Sequence, residues 1–250
     1  MATRAILTYH SIDGSGSPIS VAPDAFAAHV RWLASGRVRV VPLVNLAAEV
    51  RDGSASDGDA VALTFDDGFA NFAEHAAPLL AEHALPATVF VVSEHAGRTN
   101  AWGGRDAAGI PTLPLMDWSA LGRIAESGVD IGAHTRTHPH LDALGSNAIA
   151  EEIEGGASEI TSRLGRRPTS FAYPYGAVSD SAAAVVRATF DAGVTTRMRT
   201  LSTGDDRALL PRLDAYYLRS PDGLAGWGTA RFRAYLTMRA AVRAAREKVQ

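Results

Sequence analysis

The sequence predicts an α/β fold in which parallel strands alternate with helices. Short apolar runs and amphipathic stretches with helical spacing follow one another six or seven times along the chain, which is the pattern of repeated βα units. The chain has 250 residues, of which 46% are hydrophobic and 20% charged, and this composition fits one folded domain of ordinary size. An open doubly wound sheet and a barrel both satisfy the pattern, and both place the ligand site at the carboxyl ends of the strands.

The strands are predicted from short runs of apolar and β-branched residues. These runs are Ala5 to Tyr9, Val38 to Val41, Val61 to Phe65, Thr88 to Val92, Val129 to Ala133, Ser170 to Tyr173 and Val194 to Thr196. A long segment without regular periodicity, Ser93 to Leu115, follows the fourth run. Loops of this length in a compact domain are usually functional or mobile.

The helices are predicted from apolar residues at helical spacing and from residues that cap helix ends. They run from Asp24 to Leu33, from a cap at Asn71 to about Glu82, from a cap at Asp117 to Ser127, from Ser146 to Leu164, from Ser179 or Asp180 to about Thr189, and from Thr229 to Val249. We expect one domain over residues 1–250, in which the last helix, residues 229–249, is a closing or accessory element.

The last helix is predicted to be amphipathic and strongly basic. Its basic residues are Arg231, Arg233, Arg239, Arg243, Arg246 and Lys248, and its apolar stripe is Phe232, Tyr235, Leu236, Val242 and Val249. Such a helix can lie on an anionic membrane surface or on a partner protein. More often it covers a core and leaves a solvated basic face, so we favour that interpretation over peripheral membrane contact.

Composition excludes several classes of function. The net charge of −3 argues against binding nucleic acid by bulk charge. The chain has no cysteine, which excludes disulfides, cysteine-based zinc sites and thiol catalysis. No apolar stretch approaches the roughly 18 residues of a membrane span, and the first residues lack the pattern of a signal peptide. We therefore expect a soluble protein of the cytoplasm.

Two histidines four residues apart, in His134-Thr-Arg-Thr-His138, form a possible metal-binding motif. On a helical turn they would share one face and could hold one ion, although two exposed loop histidines are the commoner interpretation of such a pair alone. Asp66-Asp67-Gly68 ends a predicted strand and can be a simple turn. One of its carboxylates can instead bind a cation while the other acts as a base. Together the two motifs make a three-ligand site with an open position.

Aromatic residues are expected near these strand ends. Phe171-Ala-Tyr-Pro-Tyr-Gly176 can be a plain strand edge with a turn, or a cleft wall whose backbone N–H groups face a substrate. Trp102, in the long irregular segment, can stack on a sugar ring or pack into the core. His140 breaks the spacing of the two-histidine motif, so we expect it to be incidental.

Three of these segments resemble the first three motifs of the polysaccharide deacetylases, carbohydrate esterase family four. They are Thr64-Phe-Asp-Asp-Gly68, His134-Thr-Arg-Thr-His138 and Phe171-Ala-Tyr-Pro-Tyr-Gly176, in the family's order, and Trp118 to His138 also follows its pattern. The resemblance covers about Ala60 to Val194. It implies a distorted (β/α) barrel of about seven parallel strands. It also implies metal-dependent hydrolysis of an N-acetyl group on an amino sugar of a poly- or oligosaccharide or glycoconjugate, with release of acetate.

The resemblance also implies roles for individual residues. A divalent metal, for which zinc is the expected ion, is assigned to three ligands: Asp67, His134 and His138. Asp66 is expected to act as the base that takes a proton from the attacking water. The oxyanion and the substrate are assigned to the backbone N–H of Tyr175 and to Pro174, Tyr173 and Trp102.

The chain departs from the usual family pattern at two places. Most members carry a general-acid histidine near the carboxyl terminus, but this chain has no histidine beyond His140. Leu7-Thr-Tyr-His10 instead resembles a circularly permuted subset, the biofilm poly-N-acetylglucosamine deacetylases, so we expect His10 to be the general acid. Ala172 stands where many members have an arginine that orients the base, and the sequence identifies no replacement for it.

Two other functions compete with sugar N-deacetylation. The chain could hydrolyse another carbon–nitrogen bond, in a small amide or ureide, on the same scaffold. It could also be an inactive saccharide-binding relative. The joint presence of Asp66, Asp67, His134 and His138 argues against the inactive relative, because binding alone needs neither a base nor an open metal site.

Overall fold

Seven parallel strands form the wall of the fold. The computed structural model describes residues 2–53, 58–104, 109–220 and 222–247. The strands are β1 (Arg4–Tyr9), β2 (Ser11–Ile12), β3 (Ser20–Val21), β4 (Arg39–Val40), β5 (Ala60–Phe65), β6 (Thr88–Val91), β7 (Asp130–Ala133), β8 (Ser170–Ala172), β9 (Ala192–Val194) and β10 (Leu213–Asp214). In space their order is β10-β1-β5-β6-β7-β8-β9; β4 pairs with β5 outside this path, and β2 and β3 form a separate pair. The first strand therefore lies beside the last one.

The two edges of the wall meet next to β10. Leu213 of β10 is in register with Leu7 of β1, and Leu210, three residues earlier, forms a parallel bridge with Val194 of β9. The backbone N–H of Thr195 also donates to the carbonyl of Leu210 at 2.8 Å. One short segment thus joins both edges. The predicted distorted barrel of about seven parallel strands is confirmed.

Strand residues alternate between two apolar layers, as the period of a β-strand requires. One layer is a small cluster that fills the inside of the wall and includes Ile6, Ala62, Phe90 and Val194. The other is a larger cluster in which the alternate strand residues, for example Val61, Leu63 and Phe65 of β5, pack against the surrounding helices. Because both faces are covered, the strands are nearly continuous apolar runs, which is why the sequence displays them clearly.

The helices largely follow the predicted boundaries. They are α1 (Pro23–Ala34), α2 (Leu43–Arg51), α3 (Ala77–Glu82), α4 (Trp118–Glu126), α5 (Ser146–Leu164), α6 (Asp180–Thr189) and α7 (Ala230–Glu247). The predicted caps of α4 and α6 are present: Asp117 accepts a hydrogen bond from Ala120 N at 2.7 Å, and Ser179 accepts one from Ala182 N. Helix α2 was not predicted, although its buried residues have helical spacing.

The predicted cap at Asn71 is wrong. The backbone of Asn71 is already helical, and a π-helical turn, Phe72–Ala76, precedes α3. Its side chain is used elsewhere: it accepts a hydrogen bond from Ile12 N at 3.1 Å and donates one to Ser11 Oγ at 2.7 Å. A contact distant in sequence has replaced the local capping bond.

Helix α7 packs on the core through the first part of its predicted apolar stripe, whereas Val242, also predicted to belong to the stripe, is exposed. Phe232 and Leu236 are buried, and the Tyr235 hydroxyl donates to the carbonyl of Tyr217 at 2.6 Å. Arg231 and Arg233 are exposed. Lys248 and Val249, which the prediction assigned to this helix, lie outside the described residues, as do the side chains from residue 243 onwards. Within the described part of the chain, no helix has both the length and the apolar character needed to span a bilayer.

Candidate metal centre and cleft

The candidate catalytic and metal-binding residues meet at the carboxyl ends of the strands, as the sequence predicted. His10 follows β1, Asp66 and Asp67 follow β5, and His134 follows β7. Neighbouring parallel strands in a barrel bring their carboxyl ends to one rim. His10, Asp66 and Asp67 therefore line a common cleft, and His134 lies against Asp67.

The ligand atoms of Asp67, His134 and His138 converge on one point. The Oδ1 atom of Asp67 lies 3.4 Å from Nε2 of His134 and 3.4 Å from Nε2 of His138. All three ligand atoms lie within 4.8 Å of one another. The three residues are buried, with at most 7% of their surface exposed. One carboxylate and two imidazoles around an open position are the donor set of catalytic divalent-metal sites.

Unpaired polar atoms show that these residues fit a cation. Oδ1 of Asp67 is buried and has no hydrogen-bond partner among the described residues, and such an atom is costly unless something binds it. Nδ1 of His134 donates to the carbonyl of Ala172 at 2.7 Å. This bond holds the proton on Nδ1 and leaves Nε2 free to bind a cation at the position that it shares with Oδ1 of Asp67, as metal-ligating histidines require.

The predicted helical turn at the two histidines is wrong. Residues 134–138 form an irregular loop in which Thr135 has a φ of 67° and His138 a φ of 65°. Of the five described non-glycine residues with positive φ, four lie at this site, the others being Asp67 and Tyr175. Left-handed backbone is unfavourable for such residues and persists where surrounding contacts enforce it. The two imidazoles converge because the loop is bent, and not because they share a helix face.

Helix α5 holds that loop through one carboxylate. Glu152 accepts hydrogen bonds from the backbone N–H groups of Arg136 and Thr137, both at 3.0 Å, and from the Thr137 hydroxyl at 2.8 Å. Within the loop, the backbone N–H of His138 donates to the Thr135 hydroxyl at 3.0 Å. These bonds satisfy the loop's polar groups in the bent conformation and so orient the second histidine.

Asp66 is held by an arginine that the sequence analysis missed. The guanidinium of Arg212 donates to both carboxylate oxygens of Asp66, each at 2.7 Å. It also donates to the carbonyl of Thr195 at 2.9 Å and to the hydroxyl of Thr64 at 3.2 Å. Arg212 therefore takes the place of the arginine that is missing at Ala172. An arginine alone within the apolar run from residue 208 to residue 213 was the available signal, because a buried charge needs a partner.

The surroundings of the two aspartates keep both ionised near neutral pH. Burial raises the pKa of Asp66, but the ion pair and hydrogen bonds with Arg212 outweigh burial and hold that pKa below its usual range. Burial likewise raises the pKa of Asp67, but the imidazoles of His134 and His138 hold it well below its usual range. An ionised carboxylate is the form needed both in a metal ligand and in a base.

The two imidazoles differ in their titration. Burial lowers the pKa of His134, but the nearby carboxylates of Asp67 and Asp66 outweigh it and raise the pKa above the usual value. Burial lowers the pKa of His138 and here prevails over the carboxylates. Before a cation binds, His134 is therefore the preferred site for a proton, and metal binding must displace that proton.

His10 lies next to Asp66 in the lining of the cleft. Its Nε2 lies 3.8 Å from Oδ2 of Asp66, and its side chain is 25% exposed. At this distance the two groups do not share a direct hydrogen bond. Both groups line the cleft, so an acid and a base can each reach a group that is bound there.

Aromatic side chains form the walls of a cleft of about 430 Å³. Trp102 stacks on His138 with ring centres 4.4 Å apart, and Tyr175 meets the same imidazole edge-on at 4.6 Å. Tyr216 and Tyr217, which the sequence analysis did not select, line the cleft as well. They follow β10, so their place at a strand end was the available signal.

Of the predicted substrate residues, Tyr173 lines the cleft although its ring is buried, whereas Pro174 does not line it. The ring of Tyr173 is fully buried and packs against Phe171 with ring centres 5.1 Å apart. Pro174 is buried and is not among the residues that line the cleft. Alternation along β8 turns both rings of the Phe171–Tyr173 pair towards the helices.

His140 is not among the three residues of the ligand set, as its spacing indicated, but its ring contacts a residue that lines the cleft. Its ring lies parallel to that of Tyr175, with centres 4.1 Å apart and an angle of 7° between the planes. Tyr175 in turn contacts His138. The spacing of His140 from the two-histidine motif carried no information about this contact, because it is made across the barrel rim.

Comparisons with known proteins agree with this geometry. A family model described as "Polysaccharide deacetylase" matches residues 53–195. The putative polysaccharide deacetylase YxkH of Bacillus subtilis is 23% identical over 232 residues, which are 92% of this chain and 75% of the relative. A poly-beta-1,6-N-acetyl-D-glucosamine N-deacetylase of Staphylococcus aureus is 21% identical over 208 residues, which are 80% of this chain and 66% of the relative.

Two solved structures share the fold. The Streptococcus pyogenes deacetylase PplD in complex with acetate has a TM-score of 0.74 at 21% identity and covers 90% of this chain and 97% of its own. IcaB from Ammonifex degensii has a TM-score of 0.75 at 22% identity and covers 91% of this chain and 97% of its own. The family model spans more than half of the sequence and includes Asp66, Asp67, His134 and His138, and the chain therefore belongs to the polysaccharide deacetylase family.

Proposed function

We propose that this protein is a metal-dependent N-deacetylase of amino sugars in a poly- or oligosaccharide. The observation that carries the proposal is the convergence of Asp67, His134 and His138 beside a second carboxylate, Asp66, which Arg212 holds separately. A structural ion site would need ligands only. An ionised carboxylate kept free of the ligand set, in an open cleft, fits a site that also moves protons.

Zinc is the proposed ion. Two imidazole nitrogens and one carboxylate oxygen with a free fourth position suit zinc in hydrolytic sites. When bound, the metal would lower the pKa of water and polarise the acetamide carbonyl. All other steps are assigned to side chains and backbone of the chain.

The proton transfers are assigned to two residues that line the cleft, Asp66 and His10. Asp66 accepts a proton from the water that attacks the carbonyl carbon, and Arg212 keeps the carboxylate oriented meanwhile. The backbone N–H of Tyr175 donates to the carbonyl oxygen as it gains negative charge. His10 gives a proton to the nitrogen as the carbon–nitrogen bond breaks, so that acetate and a free amine leave.

Names of relatives support the substrate class. The staphylococcal relatives are described as acting on poly-beta-1,6-N-acetyl-D-glucosamine, and N-acetylglucosamine carries the required acetamide. The aromatic walls at Trp102, Tyr216 and Tyr217 offer flat apolar surfaces to sugar rings. The single-domain organisation and the cytoplasmic location are proposals that rest on the sequence.

The test combines metal analysis with acetate release. Purified protein is expected to contain one divalent ion, and to release acetate from chitooligosaccharides or β-1,6-linked N-acetylglucosamine oligomers until a chelator is added. Asp66→Asn should keep metal and lose turnover, whereas Asp67→Ala should lose metal. His10→Ala should lower turnover by about 100-fold or more with metal retained, and His83→Ala, at an exposed histidine outside the site, should not.

Three outcomes would contradict the proposal. Stoichiometric saccharide binding without turnover in any metal form would favour an inactive binding relative. Turnover of small amides or cyclic ureides, without acetate release from sugars, would favour the other carbon–nitrogen hydrolase. Near-normal turnover of His10→Ala would remove His10 from the mechanism.

A further inference from the structure

A second cavity adjoins the cleft at its rim. It has a volume of about 980 Å³ and lies between the turn Pro174–Gly176, the segment 196–200 after β9, and α7. Tyr175 and Thr196 line both this groove and the cleft. A molecule that occupies the cleft can therefore continue into the groove past these two residues.

The groove is rich in positive charge although the chain as a whole is acidic. Arg197, Arg199 and Arg233 line it, and Asp142 is the one acidic residue among its described lining residues. The chain carries a net charge of −3. A local excess of arginine against that average produces a field that attracts anions.

Two of the arginines retain donors for a ligand. The exception is Arg199, whose guanidinium donates to both carboxylate oxygens of Asp205, at 2.9 and 2.7 Å. Arg233 uses one N–H group on the carbonyl of Gly228. The guanidinium of Arg197 makes no hydrogen bond within the described parts of the chain, although it lies in the field of Asp205. Both Arg197 and Arg233 are exposed, and they lie on opposite walls of the groove.

An aromatic path connects the groove with the metal ligands. His140, on the groove side, stacks on Tyr175, and Tyr175 contacts His138. His140 and Tyr175 are both exposed, so the edges and outer faces of the stacked pair offer a surface along which a saccharide chain can lie. The same chain would then present its substituents to Arg197 and Arg233.

We propose that the groove binds an anionic group, a carboxylate or a phosphodiester, carried by the glycan whose N-acetyl group occupies the cleft. The guanidinium fork matches both anions in shape and charge. The proposal rests on the proposed function, because it defines the substrate class of that same site as an acidic N-acetylated glycan. It assigns Arg197 and Arg233 as residues that determine specificity.

Binding is tested first with probes that contain no acetamide. An oligogalacturonate supplies carboxylates and a glycerol-phosphate oligomer supplies phosphodiesters. Calorimetry at low salt should detect binding of at least one of them. Arg197→Gln together with Arg233→Gln should weaken it about ten-fold, and added salt should do the same to the wild type. Arg123→Gln, at an exposed arginine of α4 that lies outside the groove, is the matched control and should bind as the wild type does.

Turnover is tested second, with hyaluronan oligosaccharides against chitooligosaccharides of equal length. The ratio of kcat/KM for the acidic substrate to that for the neutral one should fall about ten-fold in the double variant. Absence of binding to both anionic probes, or equal binding by the double variant and the wild type, would overturn the proposal. Since the probes lack acetamide, that failure leaves acetate release unaffected. Conversely, binding without acetate release would overturn the proposed function alone.

Discussion

Arg212 has two roles, to stabilise the fold and to orient Asp66, and replacing it by glutamine should impair both. The guanidinium uses four of its five N–H groups on Asp66, Thr195 and Thr64. Arg212 is 1% exposed and Asp66 3%. Glutamine is too short and has too few donors to restore this pattern, so the substitution leaves a buried carboxylate without its counter-ion.

The expected cost follows from that burial. Removing one partner of a buried ion pair costs about 3–5 kcal/mol, which is a large part of the roughly 5–15 kcal/mol that stabilises an ordinary domain. The pair Arg39–Glu49 is the matched control, because it is also bidentate, at 3.3 and 2.9 Å, but its arginine side chain is 40% exposed. Arg39→Gln should cost about 1 kcal/mol at most.

Urea denaturation and acetate release measure the two effects. Arg212→Gln should lower the free energy of unfolding by about 3–5 kcal/mol. It should also lower turnover by about 10–100-fold, the effect expected when a residue that orients a metal-site group is removed. Asp66→Asn in the Arg212→Gln background should restore part of the stability, because no buried charge is left unpaired. If Arg212→Gln does not fold, Arg212→Lys retains the charge without the fork and should still lower turnover. A stability loss no larger than that of Arg39→Gln, with normal turnover, would refute this reasoning.

Three further predictions concern the loop, the acid response and the last helix. Glu152→Gln should lower metal affinity about ten-fold in a chelator competition, since the loop bonds weaken, and unchanged affinity would contradict the role of that carboxylate. Because the pKa of Asp66 is depressed, its stabilisation is present above about pH 4, the unfolded value, and is lost as the pH falls through the lowered folded pKa. Urea denaturation of chelator-treated protein from about pH 6 to about pH 3 should therefore show a steeper loss in the wild type than in Asp66→Asn. Leu236→Ala in α7 should cost about 2–5 kcal/mol, whereas Val242→Ala, at 41% exposure, should change stability by less than about 0.5 kcal/mol. Equal costs in thermal unfolding would show that α7 does not pack as described.

Local patterns sufficed where a property depends on neighbours in the chain. Buried parallel strands must be apolar on both faces, so runs such as Val61 to Phe65 identify themselves. Caps at Asp117 and Ser179 act within three residues and were also predictable. Asn71 has the same capping chemistry, but a contact with the distant Ser11 has claimed its side chain.

The conformation of the metal loop was beyond local patterns. Two histidines four apart are compatible with a helix, yet the loop takes positive φ at His138 because Glu152, on another element, satisfies its N–H groups. The stacking of His140 on Tyr175 depends in the same way on the approach of two rim loops. Neither contact has a signature in sequence spacing.

By itself, the sequence determined the alternating βα architecture, because that follows from local periodicity. The expectation that Asp67, His134 and His138 are ligands and that Asp66 is a free base came from the resemblance of three short motifs to a known family, and those motifs are also local. Tertiary structure alone decided that Arg212, 146 residues after Asp66, would hold the base, and that an arginine-lined groove would open beside the cleft. Such pairings exist only once the barrel closes and the first strand lies next to the last. A contact between distant residues is set by that closure, and no short segment of the chain contains the geometry that produces it.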